Sequence, residues 1–290
     1  MNQLQILTLP SSSQTLLWGS DWHLDHLKEN EREAFYERLA HENFTILVLA
    51  GDIELAHADA RGECIGLIAT LKKIQQAIQR PVFFVCGNHD YYLGSIEEVR
   101  DALRTFTLAK DRIVYLEQGT VVELSPKVAM IGQDGWGDGR CGDFYRSGLC
   151  LNDFLLIEEL KVSDSGDIFT QNTLTKMQKY ADMASEFAQN VLPALFTKYD
   201  HVLFITHVPP FREASLYMNK PASDQGAPFF VNYQLGQIVL KIMKEYANKQ
   251  LTILCGHTHN MAKVNLLPNL QVIVSKSQYN APAFEEKIVL

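Results

Sequence analysis

Short apolar runs recur along the chain, and each stops abruptly at polar residues. Residues 15–19 (TLLWG) run into Ser20-Asp21-Trp22-His23, 45–50 (TILVLA) into Gly51-Asp52, and 82–86 (VFFVC) into Gly87-Asn88-His89-Asp90. Further on, 128–131 (VAMI) runs into Gly132-Gln133-Asp134, 202–206 (VLFIT) into His207-Val208-Pro209-Pro210, and 251–255 (LTILC) into Gly256-His257-Thr258-His259; 271–275 (QVIVS) follows. Runs of this length, rich in Val, Ile and Phe, predict strands buried on both faces. Helical patterns fill many of the gaps. Residues 28–41 are charged and periodic, and 66–79 carry Leu67, Leu71, Ile74 and Ile78 at helical spacing. Ser95-Ile96-Glu97-Glu98 reads as a capping box, with Ser95 as N-cap and Glu98 reaching back, opening a helix to about Thr105. Residues 171–196 and 233–247 are two further helices, the first ended or kinked by Pro193 near its close. Strands alternating with helices predict an α/β layered fold with much of its sheet parallel. Ligands of such sheets gather at the carboxyl ends of the strands, where these Asp, Asn and His residues sit.

The stretch 132–167 is different: rich in Gly, Asp and Arg and without a long periodic element, it reads as a cap-like insertion over the sheet end. Residues 285–290 read as a closing strand. The chain of 290 residues is 47% hydrophobic and 21% charged, an ordinary globular composition that fits one large α/β domain over 1–290. Lys plus Arg number 26 against 34 Asp plus Glu, a formal net charge of -8, which argues against general nucleic-acid or anionic-membrane binding. A phosphate-bearing small substrate stays open, because bound metal ions supply positive charge that formal counting misses. The cysteines Cys64, Cys86, Cys141, Cys150 and Cys255 are odd in number and include no CxxC pair, so they read as reduced thiols. The first residues lack the basic and apolar regions of a signal peptide, and no apolar run approaches the ~20 residues that span a bilayer. The expected location is the cytoplasm.

Of the nine histidines, His23, His89, His207, His257 and His259 follow closely after a strand run, in company with Asp21, Asp52 and Asn88. Read singly, an Asp after a strand is a turn or N-cap residue, and a His there is a satisfied core or surface side chain. Read together they are a coincidence repeated in separate segments. Asp21 with His23, and His257 with His259, are two residues apart, which puts each pair on one side of an extended segment. Mixed imidazole and carboxylate donors suit Mn, Fe, Zn or Co rather than Mg alone. So many groups exceed the coordination of one ion and suit two divalent ions, with the central Asp52 as bridge, a device used for phosphoryl chemistry.

The order Asp21-x-His23, Gly51-Asp52, Gly87-Asn88-His89-Asp90, His207, Gly256-His257-x-His259 resembles the calcineurin-like metallophosphoesterase superfamily. The resemblance implies a four-layer α/β/β/α sandwich of two mixed β-sheets flanked by helices. It implies that Asp21, His23 and His259 bind a first metal, that Asn88, His207 and His257 bind a second, and that Asp52 bridges them. His89 is implied to face the leaving-group side of the phosphate as catalytic residue, while a metal-bridging hydroxide attacks phosphorus in line. One departure stands out. Many phosphoprotein phosphatases of the superfamily carry Gly-Asp-x-x-Asp, the second Asp orienting the catalytic histidine; here Leu55 holds that place. This argues against a protein phosphatase: either another group, with Asp90 a candidate, orients His89, or its pKa is not raised in that way.

The expected substrate is therefore a small-molecule or nucleotide phosphodiester or monoester. Tyr91 and Tyr92, just after the Gly-Asn-His-Asp run, are candidates to stack on it, with packing under the next helix as the alternative. Arg212 is a candidate phosphate partner, with a surface ion pair as the alternative. In the glycine-rich run 134–146, Trp136, Arg140 and Arg146 are candidates to read the substrate; the alternative is a loop held by its own Asp-to-backbone bonds. The His-x-His-x-Asp-His run of metallo-β-lactamase-type hydrolases is absent. The remaining competitor is a non-catalytic scaffold on the same fold.

Overall fold

Alternate residues of each central strand face two different cores, and this explains why the runs are apolar throughout. The computed structural model describes residues 5–9, 14–56, 65–108, 112–162 and 166–290. Its strands are β1 Gln5–Thr8, β2 Thr15–Gly19, β3 Ile46–Ala50, β4 Val82–Val85, β5 Ile113–Tyr115, β6 Thr120–Ser125, β7 Val128–Gly132, β8 His201–Ile205, β9 Leu216–Tyr217, β10 Lys220–Pro221, β11 Gln250–Cys255, β12 Ala262–Leu267, β13 Leu270–Val274 and β14 Ile288–Val289. Its helices are α1 Glu29–His41, α2 Ile65–Ile78, α3 Ile96–Leu108, α4 Asp153–Leu156, α5 Gln171–Phe196, α6 Ala227–Phe230 and α7 Tyr233–Glu245. One sheet has the order β14-β2-β3-β4-β5 and the other β1-β6-β7-β8-β11-β13-β12; β9 and β10 form a separate ribbon. In the first sheet β2 to β5 are parallel and β14 runs antiparallel to β2. In the second, β7, β8, β11 and β13 are parallel, with antiparallel β6 and β12 beside them.

Three apolar layers follow from the alternation. Leu16, Trp18, Ile46, Val48, Phe83 and Val85 of one sheet meet Val122, Met130, Leu203, Ile205 and Leu254 of the other. The intervening Leu17, Leu47, Leu49, Val82 and Phe84 face outward onto Phe35, Leu39, Leu71, Ile74 and Leu103 of α1, α2 and α3. On the far side, Ala129, Ile131, Val202, Phe204, Ile253 and Val272 pack against Ala188, Leu192, Leu235 and Val239 of α5 and α7. Three interlayer cores require four layers, helix, sheet, sheet, helix, as the resemblance implied. No helix among the described residues is long and apolar enough to cross a membrane. Cys86, Cys141, Cys150 and Cys255 form no disulfide among the described residues; Cys64 lies outside the described residues.

Helix α5 spans Gln171–Phe196 as expected and closes three residues after Pro193. Two other local expectations change. The N-terminus of α3 is capped by a carboxylate from the 132–167 segment. Ser95 Oγ accepts from the Glu98 N–H at 3.3 Å, but Glu159, not Glu98, completes the cap, accepting from Ser95 Oγ at 2.6 Å and from the Ile96 N–H at 2.9 Å. The segment is also not a loose cover, since its Phe144, Phe154, Ile157 and Leu160 are buried in the same cluster as α1 to α3. Losing a cap of this kind costs about 0.5–2 kcal/mol. Glu159→Ala is therefore expected to lower stability in urea unfolding by that amount, while Glu98→Ala leaves it near the starting value.

Candidate metal centre

The motif loops meet closely because Gly51, Gly87 and Gly256 stand where they touch. A Cβ built on Gly87 would lie 2.1 Å from Asp52 Oδ1, and one on Gly256 would lie 2.1 Å from Asp21 Oδ2. Only glycine lets the loops after β2, β3, β4 and β11 close to this distance. Backbone bonds then join loop to loop: Asp21 N–H to Gly51 O at 2.9 Å, His23 N–H to Asp52 O at 3.0 Å, and Gly256 N–H to His207 O at 2.9 Å. Asp21, His23, Asp52, His257 and His259 all take left-handed backbone angles, with φ of 55°, 42°, 54°, 72° and 56°. They are half of the ten non-glycine residues with positive φ among the described residues. Such conformations cost roughly 1–3 kcal/mol each and persist where the surroundings over-determine them.

The side chains converge on Asp52. Its Oδ2 lies 3.7 Å from His23 Nε2 and 3.3 Å from His207 Nε2. His259 Nε2 is 3.3 Å from Asp21 Oδ1 and 3.1 Å from His23 Nε2. Donors about 2.1 Å from one cation stand roughly 3–3.5 Å apart, so these separations match a coordination shell. The donor atoms fall into three overlapping groups, each within 4.8 Å: Asp21, His23 and His259; His23, Asp52 and His89; and Asp52, His207 and His257.

Outer partners set which atom each ligand presents. His207 Nδ1 bonds Ala50 O at 2.8 Å, and His257 Nε2 bonds Phe229 O at 3.2 Å, leaving His207 Nε2 and His257 Nδ1 free. Asn88 donates its amide to Asp153 Oδ1 at 2.9 Å and to the Tyr92 hydroxyl at 3.1 Å. Asn88 Oδ1 and His207 Nε2 are buried with no hydrogen-bond partner. A buried carbonyl oxygen left bare is costly, and Asn88 Oδ1 in that state, with His207 Nε2 turned 3.3 Å from Asp52 Oδ2, suits cation ligands. The donor set thus fits divalent metal.

The electrostatics agree. Burial acts to raise the Asp52 carboxyl, yet His207, His89 and His23 hold it well below the usual carboxylate range. Burial pushes His23 down to about 4 and His257 down to about 3, so both imidazoles are neutral near pH 7. Burial acts the same way on His207, but the adjacent Asp52 overcomes it and raises that imidazole to about 10. The buried carboxylates therefore draw in positive charge, here as a proton.

Other sequence-derived candidates land elsewhere. Asp90 does not orient His89. Its carboxylate accepts from the N–H groups of Asp52 and Ile53 at 2.8 Å, Glu54 at 3.0 Å and Gly87 at 2.7 Å, stapling the β3 and β4 loops together. His89 instead stacks on Tyr92 at 4.2 Å and meets His23 edge-on at 4.4 Å. Tyr91 is fully buried, its hydroxyl on Asp134 Oδ2 at 2.6 Å beside Arg100 and Tyr115. Trp136 is buried too, against Tyr91 and Tyr180. Neither ring is open to a substrate, so packing explains both. Arg140 forms a two-pronged pair with Asp182 at 2.7 and 2.9 Å, and Arg212 pairs with Asp224 at 2.8 Å while donating to Ala222 O. Arg146 has a side chain 88% exposed, 3.9 Å from Asp143. The run 134–146 is held by its own aspartates, Asp138 accepting from the N–H groups of Arg140 and Gln234. Sequence reasoning missed Asp153 and Tyr279. The latter ring lies 4.6 Å from His23 and 4.9 Å from His259.

A model of the calcineurin-like phosphoesterase family matches residues 16–261, and the chain belongs to that family of metal-dependent phosphoester hydrolases. A dimetal phosphatase from Danio rerio is similar in fold, with a TM-score of 0.56, 13% identity, and 93% of this chain and 91% of that chain covered. A 5'-nucleotidase from Candida albicans SC5314 aligns at a TM-score of 0.46 with 13% identity, covering 97% of this chain and 49% of that one. A search of curated proteins finds no match.

Protonated His207 cannot bind a cation, and its imidazole stays protonated below about 10 without one. Raising the pH removes the competing proton, so apparent metal affinity is expected to climb by up to about tenfold per pH unit, with proton release at each loading. Calorimetry in buffers of different ionisation enthalpy checks this. An affinity flat from about pH 7 to 9 would show that metal displaces no proton from His207 in that range.

Proposed function

We propose that the chain hydrolyses a phosphate ester of a small organic molecule or nucleotide at a dinuclear divalent metal centre. The observation that carries it is the placing of one Asp52 oxygen between His23 on one side and His207 on the other. Asp21, His23 and His259 would hold one ion, Asn88, His207 and His257 the other, and Asp52 both. The ions, of the Mn, Fe, Zn or Co kind, supply Lewis-acid activation of water and neutralise phosphoryl charge.

The chain's own residues do the rest. Asp90 and the interloop backbone bonds fix the ligands before substrate arrives, so little reorganisation accompanies reaction. His89, half-buried at the rim, would donate a proton to the oxygen that leaves phosphorus. The Tyr92 ring beneath fixes its plane. Leu55, where the phosphoprotein branch has a carboxylate, packs against the core of the helix layer and gives His89 no acceptor. That supports a small substrate over a phosphoprotein. The full ligand set with His89 in place supports an enzyme over a scaffold.

Metal analysis of protein loaded with Mn or Zn is expected to give about two ions per chain, with turnover of p-nitrophenyl phosphate or its bis-ester. Asp52→Asn loses metal and turnover together. His89→Ala keeps both ions and loses about 10²–10⁴ in kcat on an ester with a poor leaving group. Full turnover by that variant would strip His89 of its role. An empty, inactive centre in metal-supplemented protein would sink the whole reading.

A further inference from the structure

Tyr279 stands on the segment after β13, beyond the residues that the family model matches. Its ring lies 4.6 Å from His23, 4.9 Å from His259, 4.8 Å from His26 and 6.4 Å from His89. The residue is 41% exposed, so one side of the ring rests on imidazoles and another faces solvent. The hydroxyl makes no hydrogen bond to a described residue. The ring thus covers imidazoles of the ligand set on one side and leaves an aromatic surface open beside the centre on another.

The segment that carries it is fastened on both sides. Before Tyr279, Ser277 Oγ donates to Asp21 O, and the Ser277 N–H reaches His259 O at 3.4 Å. After it, Trp22 Nε1 donates to Ala283 O at 2.6 Å and the Glu285 N–H to Trp18 O at 2.8 Å. Asn280 makes the intervening turn with φ of 63°. The anchors include the backbones of two metal-ligand candidates, so the ring is held in register with the centre. His89, which meets the leaving oxygen in the proposed reaction, is on the same side.

We propose that Tyr279 is a specificity-determining residue that contacts substrate. Its ring forms the wall beside His23 and His259 and packs against the organic group of the ester. It thereby favours phosphate esters with a planar aromatic group over those with a small alkyl group. The inference rests on the phosphoesterase reading. Aromatic contacts of this kind contribute about tenfold in affinity.

The test uses the full, metal-loaded chain and two non-hydrolysable probes, phenylphosphonate and methylphosphonate, with dissociation constants from calorimetry and metal content measured alongside. Tyr279→Ala is expected to weaken phenylphosphonate by about tenfold and leave methylphosphonate within about twofold, with metal content unchanged. Tyr279→Phe keeps phenylphosphonate affinity, since the ring and not the hydroxyl makes the contact. Equal weakening of both probes, no weakening of either, or loss of metal from Tyr279→Ala overturns the role given to Tyr279 and leaves the phosphoesterase reading standing. Failure of the unmodified metal-loaded chain to bind either probe brings down that reading and this inference with it.

Discussion

The structure depends on forcing several electron-rich side chains into one small volume. Asp21, Asp52, His23, His207 and His257 are all buried, and they face one another. In an apolar interior such a set is unfavourable unless something positive joins it. The fold brings the set together by rigid means. Parallel strands aim their carboxyl ends at one rim, glycines allow the loops to touch, and Asp90 ties two loops by four backbone N–H groups. The chemistry follows from that enforced crowding.

The same economy explains the outer partners. A histidine has two ring nitrogens, and a carbonyl on one decides what the other presents. Ala50 O does this for His207 and Phe229 O for His257, from different parts of the chain. Asp153 does it for Asn88 from within an irregular stretch. That stretch, through Asp134 and its bonds to Tyr91, Tyr115 and Arg100, also anchors the sheet edge beneath the centre. It is therefore part of the support of the site.

Much of this was legible in the sequence. Strands β2, β3, β4, β7, β8 and β11 announced themselves because both faces are largely buried, so the apolar run is nearly continuous and ends sharply at the loop; β13 showed through its β-branched run, one face being half-buried. Strands β1 and β12 did not, because exposed and half-buried positions break up their patterns. Strand β5 is only three residues long. The ligand motifs were legible because they are local. Asp153 and Tyr279 were not, since each acts through contacts across the chain and stands in an unremarkable run. Tyr91 and Trp136 misled for a related reason. Nearness in sequence to a motif says nothing of direction, and the short 3-10 turn His89–Tyr91 carries the Tyr91 ring down into the core.

The left-handed backbone at Asp21, His23, Asp52, His257 and His259 has a bearing on the life of the protein before it meets metal. The surrounding loop-to-loop bonds hold that strain in place, and an ion joining these side chains would offset it. Ion capture and the ordering of the loops are then linked in one equilibrium, so occupancy of the centre adds to the stability of the rim.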